Sequence, residues 1–398
     1  MTTTSRRRTP LGRRMTMTTL ALMATATVTV TPTAYAEPDN SPTMAAHGVE
    51  APLGAVPWSQ VGPGWMLAIW SPVPGLHPGE SPPPGSPTRQ ASTTTLYLVD
   101  PAGGRYPITT FPPPGDGPTP QLVDWSGDGT RALFTTSEKG KTVLTEVDLS
   151  SGTKSTFTVD GTLVTPLYTR PDGKAVLLDA QKGLERVDLA GNHQLTYPVG
   201  PDFRGYLSTP DGTRLVVGAA SGLAFMGNDG VPGNALPVAG QKDCAPTRWW
   251  DAGSTIALAR CDSSAGSRLW LVPIDGGTPT ALTAPNNGQK GPDYGDINAW
   301  QVPAGTYVQA SGACGVIYLA KLNGDGTTSP VSVPEVKSGS VAVVGVNGGD
   351  LDLQARVGCG GGQSVIDYNP ASGTSTVLLG PPVNGGGVIH AIPYPGRK

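Results

Sequence analysis

The stretch Tyr168-Thr169-Arg170-Pro171-Asp172-Gly173-Lys174 reads as the end of a short strand running into a tight turn. Proline presets the backbone at the first central position, aspartate bonds back to nearby amides, and glycine supplies the left-handed conformation. The pattern returns as Leu207-Ser208-Thr209-Pro210-Asp211-Gly212-Thr213 and, upstream, as Val123-Asp124-Trp125-Ser126-Gly127-Asp128-Gly129-Thr130. Weaker copies are Trp249-Trp250-Asp251-Ala252-Gly253, Trp300-Gln301-Val302-Pro303-Ala304-Gly305 and Val346-Asn347-Gly348-Gly349, and a first copy runs from Trp58 to Trp65. The turn glycines 64, 129, 173, 212, 253, 305 and 349 are spaced by 65, 44, 39, 41, 52 and 44 residues. The long first spacing contains a Pro-rich insertion, residues 71–95, that is too rich in proline for a paired central strand and is therefore expected as a surface loop.

A second marker lies downstream of each turn: Leu96-Tyr97-Leu98-Val99-Asp100, Leu144-Thr145-Glu146-Val147-Asp148, Leu184-Glu185-Arg186-Val187-Asp188 and Leu269-Trp270-Leu271-Val272-Pro273. Apolar and polar residues alternate in these runs with the period of a strand. Each unit of about 40 residues then holds about four short strands, too little to bury both faces of its own sheet. Stacking the sheets radially buries them. The expectation is an all-β fold, a seven-bladed β-propeller of four-stranded antiparallel blades over residues 56–398, with eight blades as the alternative. Val388-Ile389-His390-Ala391-Ile392 reads as one more strand, placed to close the ring by pairing in the first or last blade.

Composition agrees. There are 55 glycines and 41 prolines, about a quarter of the 398 residues, against only 14% charged residues. So many helix breakers disfavour a helical enzyme. The low charge excludes a polyelectrolyte and a nucleic-acid binder working through net positive charge. Residues 1–36 read as a signal peptide, the alternative being an uncleaved membrane anchor, for which the apolar stretch is short of the ~20 residues a span needs. Arg6, Arg7, Arg8, Arg13 and Arg14 form a basic region, a Thr-rich apolar stretch follows, and Ala34-Tyr35-Ala36 is a small-x-small cleavage site. Both Sec and twin-arginine export fit. Cleavage would take the net charge from −3 to −8 and leave no transmembrane span. Residues 37–55 are expected to be a flexible N-terminal segment.

All four cysteines follow the signal: Cys244, Cys261, Cys314 and Cys359. An even count in an exported chain reads as two disulfides. Cys244 and Cys261 flank the turn Asp251-Ala252-Gly253-Ser254 symmetrically, so a two-residue hairpin would set them face to face. Cys314 and Cys359 follow similar strands 45 residues apart, as one position in neighbouring repeats. The expected pairs are Cys244–Cys261 and Cys314–Cys359.

The Pro-Asp-Gly turns at this spacing resemble the WD40-like repeats of the TolB type, which also build the propellers of prolyl-oligopeptidase-like peptidases. The resemblance covers about residues 56–395, and its closest turns are those at Gly129, Gly173 and Gly212. It implies a propeller. The chain departs from TolB in having no segment long enough for an extra α/β domain before the first blade, and from the peptidases in having no hydrolase domain after the last.

No residue pattern demands chemistry. There is no Gly-x-Ser-x-Gly elbow, no His-Glu-x-x-His and no phosphate loop, and His47, His77, His193 and His390 are scattered. Asp124-x-Ser126-x-Asp128-Gly129 begins like a calcium loop, but position 12 is Thr135 where a bidentate glutamate is needed. Trp58, Trp125, Trp249 and Trp300 recur before the turn glycine, which points to packing between blades. Arg248, Asp293 and Asp296 fall near expected inner strands or the loops leading into them, without forming a motif. No catalytic, cofactor-binding or metal residues are expected. The functional expectation is a secreted or extracytoplasmic monomer acting as a non-enzymatic binding or assembly platform, its partner an envelope or extracellular protein or a glycan. The alternative is a propeller-type enzyme, a lactonase, lyase or hydrolase, with carboxylates or histidines converging at the channel mouth.

Overall fold

Six of the seven turn glycines, all but Gly64, lie where a blade's inner strand hands over to its second strand. In a computed structural model, which describes residues 44–77, 79–161, 164–180, 183–286, 295–336, 339–357 and 361–396, the strands form seven four-stranded antiparallel sheets. The inner strands of blades two to seven are Gln121–Trp125, Val164–Tyr168, Tyr206–Ser208, Lys242–Trp249, Asn298–Val302 and Ser340–Asn347. Those of neighbouring blades approach one another around the channel. Blade one differs. Its inner strand is the last of the chain, Gly387–Pro393, which pairs antiparallel with Met66–Ser71, and then come Thr94–Val99 and Arg105–Phe111. The ring thus closes non-covalently within blade one, and the blade count is seven.

This closure corrects the role of Trp58. The residues before Gly64 do not supply an inner strand, since the C-terminus occupies that place, and Trp58 starts a short 3-10 turn with about a third of its surface exposed. Trp125 and Trp300 are buried between blades as expected, Trp125 meeting the Tyr394 ring edge-on at 5.2 Å. Residues 44–55, expected to be flexible, are instead held on blade one where described. Arg105 N–H donates to Val49 O, Ala51 N–H to Arg105 O, Ala45 N–H to the Tyr106 hydroxyl, and Glu50 pairs with Arg105 as a parallel bridge. The reason is the outer edge of blade one, whose unpaired amides and carbonyls this segment satisfies. The insertion is a loop between the first two chain-order strands of blade one, slightly shorter than expected because Ser71, Thr94 and Thr95 belong to the ladder.

Apolar clusters between successive blades carry the packing, and polar bridges between blades add orientation. Gln309 of blade six donates to Val341 O and accepts from Val343 N–H in blade seven. Gln354 of blade seven donates to Val388 O and Ile389 O of the closing strand. Both amides are buried at one position of the second strand, where an unbonded side chain would be costly. Beside Gln354, Asp352 and Asp367 face each other across the strands of blade seven, and Gly345 separates Asp352 from Pro393 of blade one. Asp352 is 2% exposed, and burial, then the charges of Asp367 and Asp350, push its carboxyl up to about 7. Burial and Asp350 raise Asp367 to about 6.

Cys244 and Cys261 are joined. The connecting turn is longer than two residues, with Trp250 N–H donating to Ile256 O. Register shifts in the hairpin, one between Pro246 and Arg248, bring Cys244 opposite Cys261. Cys314, in the turn after the second strand of blade six, is disulfide-bonded as well. Its expected partner Cys359 lies outside the described residues, as does Asp293.

Candidate functional site at the channel mouth

Because the repeat turns of blades two to seven each follow an innermost strand, the fold delivers those turns to one mouth of the channel. There a cavity of about 540 Å³ opens between blades two to five. Its wall includes Asp128, Arg170-Pro171-Asp172 and Pro210 from three repeat turns, the side chains of Tyr168, Tyr206, Arg248 and Trp249 from inner strands, and Pro395-Gly396 just beyond the closing strand.

The turns are fixed twice over. Their aspartates bond locally: Asp128 accepts from Ser126 Oγ and Thr130 N–H, Asp211 from Thr209 Oγ1 and Thr213 N–H, and Asp172 from Lys174 N–H. These bonds hold all three carboxyls below their ordinary range; for Asp172, the Lys174 side chain contributes most. The turns also touch one another. Gly127 faces the Pro171 carbonyl and Gly212 the Arg170 carbonyl so closely that a β-carbon at either position would collide with backbone. Gly212 also has φ +70°, so its glycine is required by space and conformation together.

Across the interface of blades two and three, the Asp124 carboxylate accepts two bonds from the Arg170 guanidinium, at 2.9 and 3.2 Å, and one from Tyr168 N–H at 2.7 Å. The incipient calcium loop is therefore dismantled: Asp124 serves blade three while Asp128 serves its own turn. Arg131 lies over the Tyr168 ring at 5.5 Å and pairs with Glu146, which accepts from the Tyr168 hydroxyl. Burial and the Glu146 charge raise the Tyr168 phenol far above its ordinary range, so it stays neutral. Tyr206 is buried, and its hydroxyl has no hydrogen-bond partner among the described residues.

Arg248 stands apart. Its Nη1 donates to Ala299 O of blade six at 3.0 Å, and its guanidinium lies 5.3 Å from the Trp300 ring centre. Beside it, Trp249 Nε1 donates to Ser208 O of blade four. Blade five thus reaches both neighbours through adjacent residues. Burial lowers the Arg248 guanidinium to about 10, still charged at neutral pH. Of the three residues singled out near the inner strands, only Arg248 is placed at the cavity. Asp296 pairs with Arg260 at 3.8 Å. Arg170 and Tyr206 escaped notice in the sequence. Arg170 was legible as a cation inside a repeat turn, whereas nothing marks Tyr206 before the blades are stacked.

The histidines do not gather here. His47 Nε2 bonds Val377 O, His193 bonds Thr196 and His390 lies in the closing strand, its imidazole pKa lowered by burial and Arg356. Among the described residues no three His, Cys, Asp or Glu side chains are grouped to hold a metal ion, and no helix is long and apolar enough to cross a membrane.

No protein-family model and no curated protein matches the chain. Similar folds occur among solved structures. TolB from Acinetobacter baumannii aligns with 13% identity over 83% of this chain and 66% of that one, at a TM-score of 0.43. An oligogalacturonate lyase from Vibrio parahaemolyticus aligns with 12% identity over 80% and 87%, at 0.46. A prolyl endopeptidase structure aligns with 12% identity over 78% of this chain but only 49% of that one, at 0.49. The chain thus spans less than two thirds of the TolB and endopeptidase chains, and at such identity the likeness is one of fold alone.

Proposed function

We propose that this chain is an exported, TolB-like propeller that works as a binding or assembly platform outside the cytoplasm, taking its partner or ligand at the channel mouth without chemistry. The observation that carries this reading is the cavity itself. Its wall is assembled from the same turn in several blades and braced by an ion pair and carbonyl bonds between blades. A wall of that construction is rigid before anything binds, so little ordering entropy is lost on association. The Cys244–Cys261 disulfide suits an oxidising compartment, and residues 1–36 suit export.

Two measurements test it. N-terminal sequencing of protein from the culture medium or cell envelope should begin at Glu37; a mature chain still starting at Met1 would refute cleavage. Crosslinking of wild type and Trp249→Ala in intact producing cells, read by quantitative mass spectrometry, should find a stoichiometric partner that the variant loses. Equal capture by both would remove the cavity from the reading.

A further inference from the structure

We propose that the channel-mouth cavity recognises a small organic monocarboxylate with a flat apolar body, held by the guanidinium of Arg248. This rests on the cavity's being the binding site, as argued above, and adds the class of ligand. The charges on the wall point to this ligand. Four charged side chains line the cavity: Asp128, Arg170, Asp172 and Arg248. Arg170 is neutralised by Asp124 in a two-bonded pair. Asp172 is paired with Lys174, and Asp128 accepts three bonds within its turn and lies 3.7 Å from Arg131, which it shares with Glu146. Arg248 has no carboxylate partner among the described residues and makes a single hydrogen bond, to a neutral carbonyl. A guanidinium carries five donors, so four remain.

The side chain is also oriented in advance. The Ala299 carbonyl and the Trp300 ring hold the guanidinium from the blade-six side, and the residue remains partly exposed. One fork-shaped cation with no carboxylate partner among the described residues, in a partly exposed recess, matches one carboxylate in charge and in geometry. It leaves a doubly charged phosphate under-neutralised. Tyr168, Tyr206, Trp249 and Leu167 line the wall beside Ser208 and Thr247, and the three aromatic rings favour a flat apolar body behind the carboxylate. The volume suits one small molecule.

The test uses the mature full chain and three probes: benzoate, its uncharged analogue benzamide, and phenyl phosphate. Binding is titrated by ligand-observed NMR with wild type, Arg248→Met and Arg248→Lys. Benzoate is expected to bind wild type at least about tenfold more tightly than benzamide and more tightly than phenyl phosphate. Arg248→Met should abolish that preference, and Arg248→Lys should keep part of it. The benzoate–benzamide comparison on wild type needs no variant, so it holds even if Arg248→Met misfolds. Equal binding of the two probes, a preference that survives in Arg248→Met, tighter binding of phenyl phosphate, or no benzoate binding up to about 10 mM would each overturn the assignment. If the assignment fails while crosslinked capture still depends on Trp249, only the ligand class falls. If capture is indifferent to Trp249, the cavity reading falls with it.

Discussion

Replacing Asp352 by asparagine should stabilise this protein, and by an amount that grows with pH. The carboxyl is sealed between blades seven and one beside Asp367, and its value rises from an ordinary 3.8 to about 7. The sign follows from the direction. Between those values the folded chain holds a proton that the unfolded chain has released, so stability falls as pH climbs through the window, and the loss is complete above about 7. Full ionisation costs roughly 4 kcal/mol, at about 1.4 kcal/mol per pH decade. At about pH 5 the cost is roughly 1.5 kcal/mol, because the unfolded carboxyl is then only about one decade above its own value. Asparagine keeps the shape and removes the charge. The unfolding entropy of a domain of this size, near 0.75 kcal/mol per degree, converts these figures to a gain of about 5 °C at pH 8 and about 2 °C at pH 5. Thermal unfolding of wild type and variant, side by side at both pH values, isolates the effect. The turn aspartates, held low in the folded state, drive an opposite trend common to both proteins, and it cancels in the difference. A gain no larger at pH 8 than at pH 5 would refute the claim that Asp352 is held protonated by its surroundings.

Gly212→Ala should cost about 2–4 kcal/mol by combining a left-handed backbone with a collision at the Arg170 carbonyl, visible as a lowered denaturant midpoint with unchanged slope. Cys244→Ser with Cys261→Ser should cost about 3 kcal/mol for a loop of 17 residues, and the wild-type unfolding midpoint should fall comparably in reductant. Ending the chain at Gly386 removes the inner strand of blade one and should yield aggregated or unfolded protein; a monomer with the native far-UV spectrum would show that the ring does not depend on that strand.

Much of the architecture can be read from local chemistry. Pro-Asp-Gly turns, alternating strands ending in aspartate and a 40-residue period are short-range features, and each survives in the structure where the sequence places it. Asp148 and Asp188 close the turns after their strands as such residues do anywhere. Cys244 and Cys261 were legible as partners because they lie in one hairpin, although register shifts, and not a two-residue turn, align them.

The site was legible only in part. Arg248 stood out as a cation near an inner strand, yet its lack of a carboxylate partner among the described residues depends on which residues of neighbouring blades arrive beside it. Asp124 read as a turn residue and a weak calcium ligand until blade three brought Arg170 against it. Asp352 and Asp367 look like ordinary polar positions of exposed strands, and Gln309 and Gln354 like surface amides, because nothing in their immediate sequence announces that a neighbouring blade will cover them. Residues 44–55 looked free because their partners lie on the outer strand of blade one, at Arg105 and Tyr106. Sequence alone determined the period and the strand content, since hydrogen bonding and side-chain alternation act over a few residues, whereas the last strand's place in blade one decided seven blades over eight. The tertiary structure decided which charges are paired and which is left over, because electrostatic balance and burial are properties of groups brought together from distant parts of the chain.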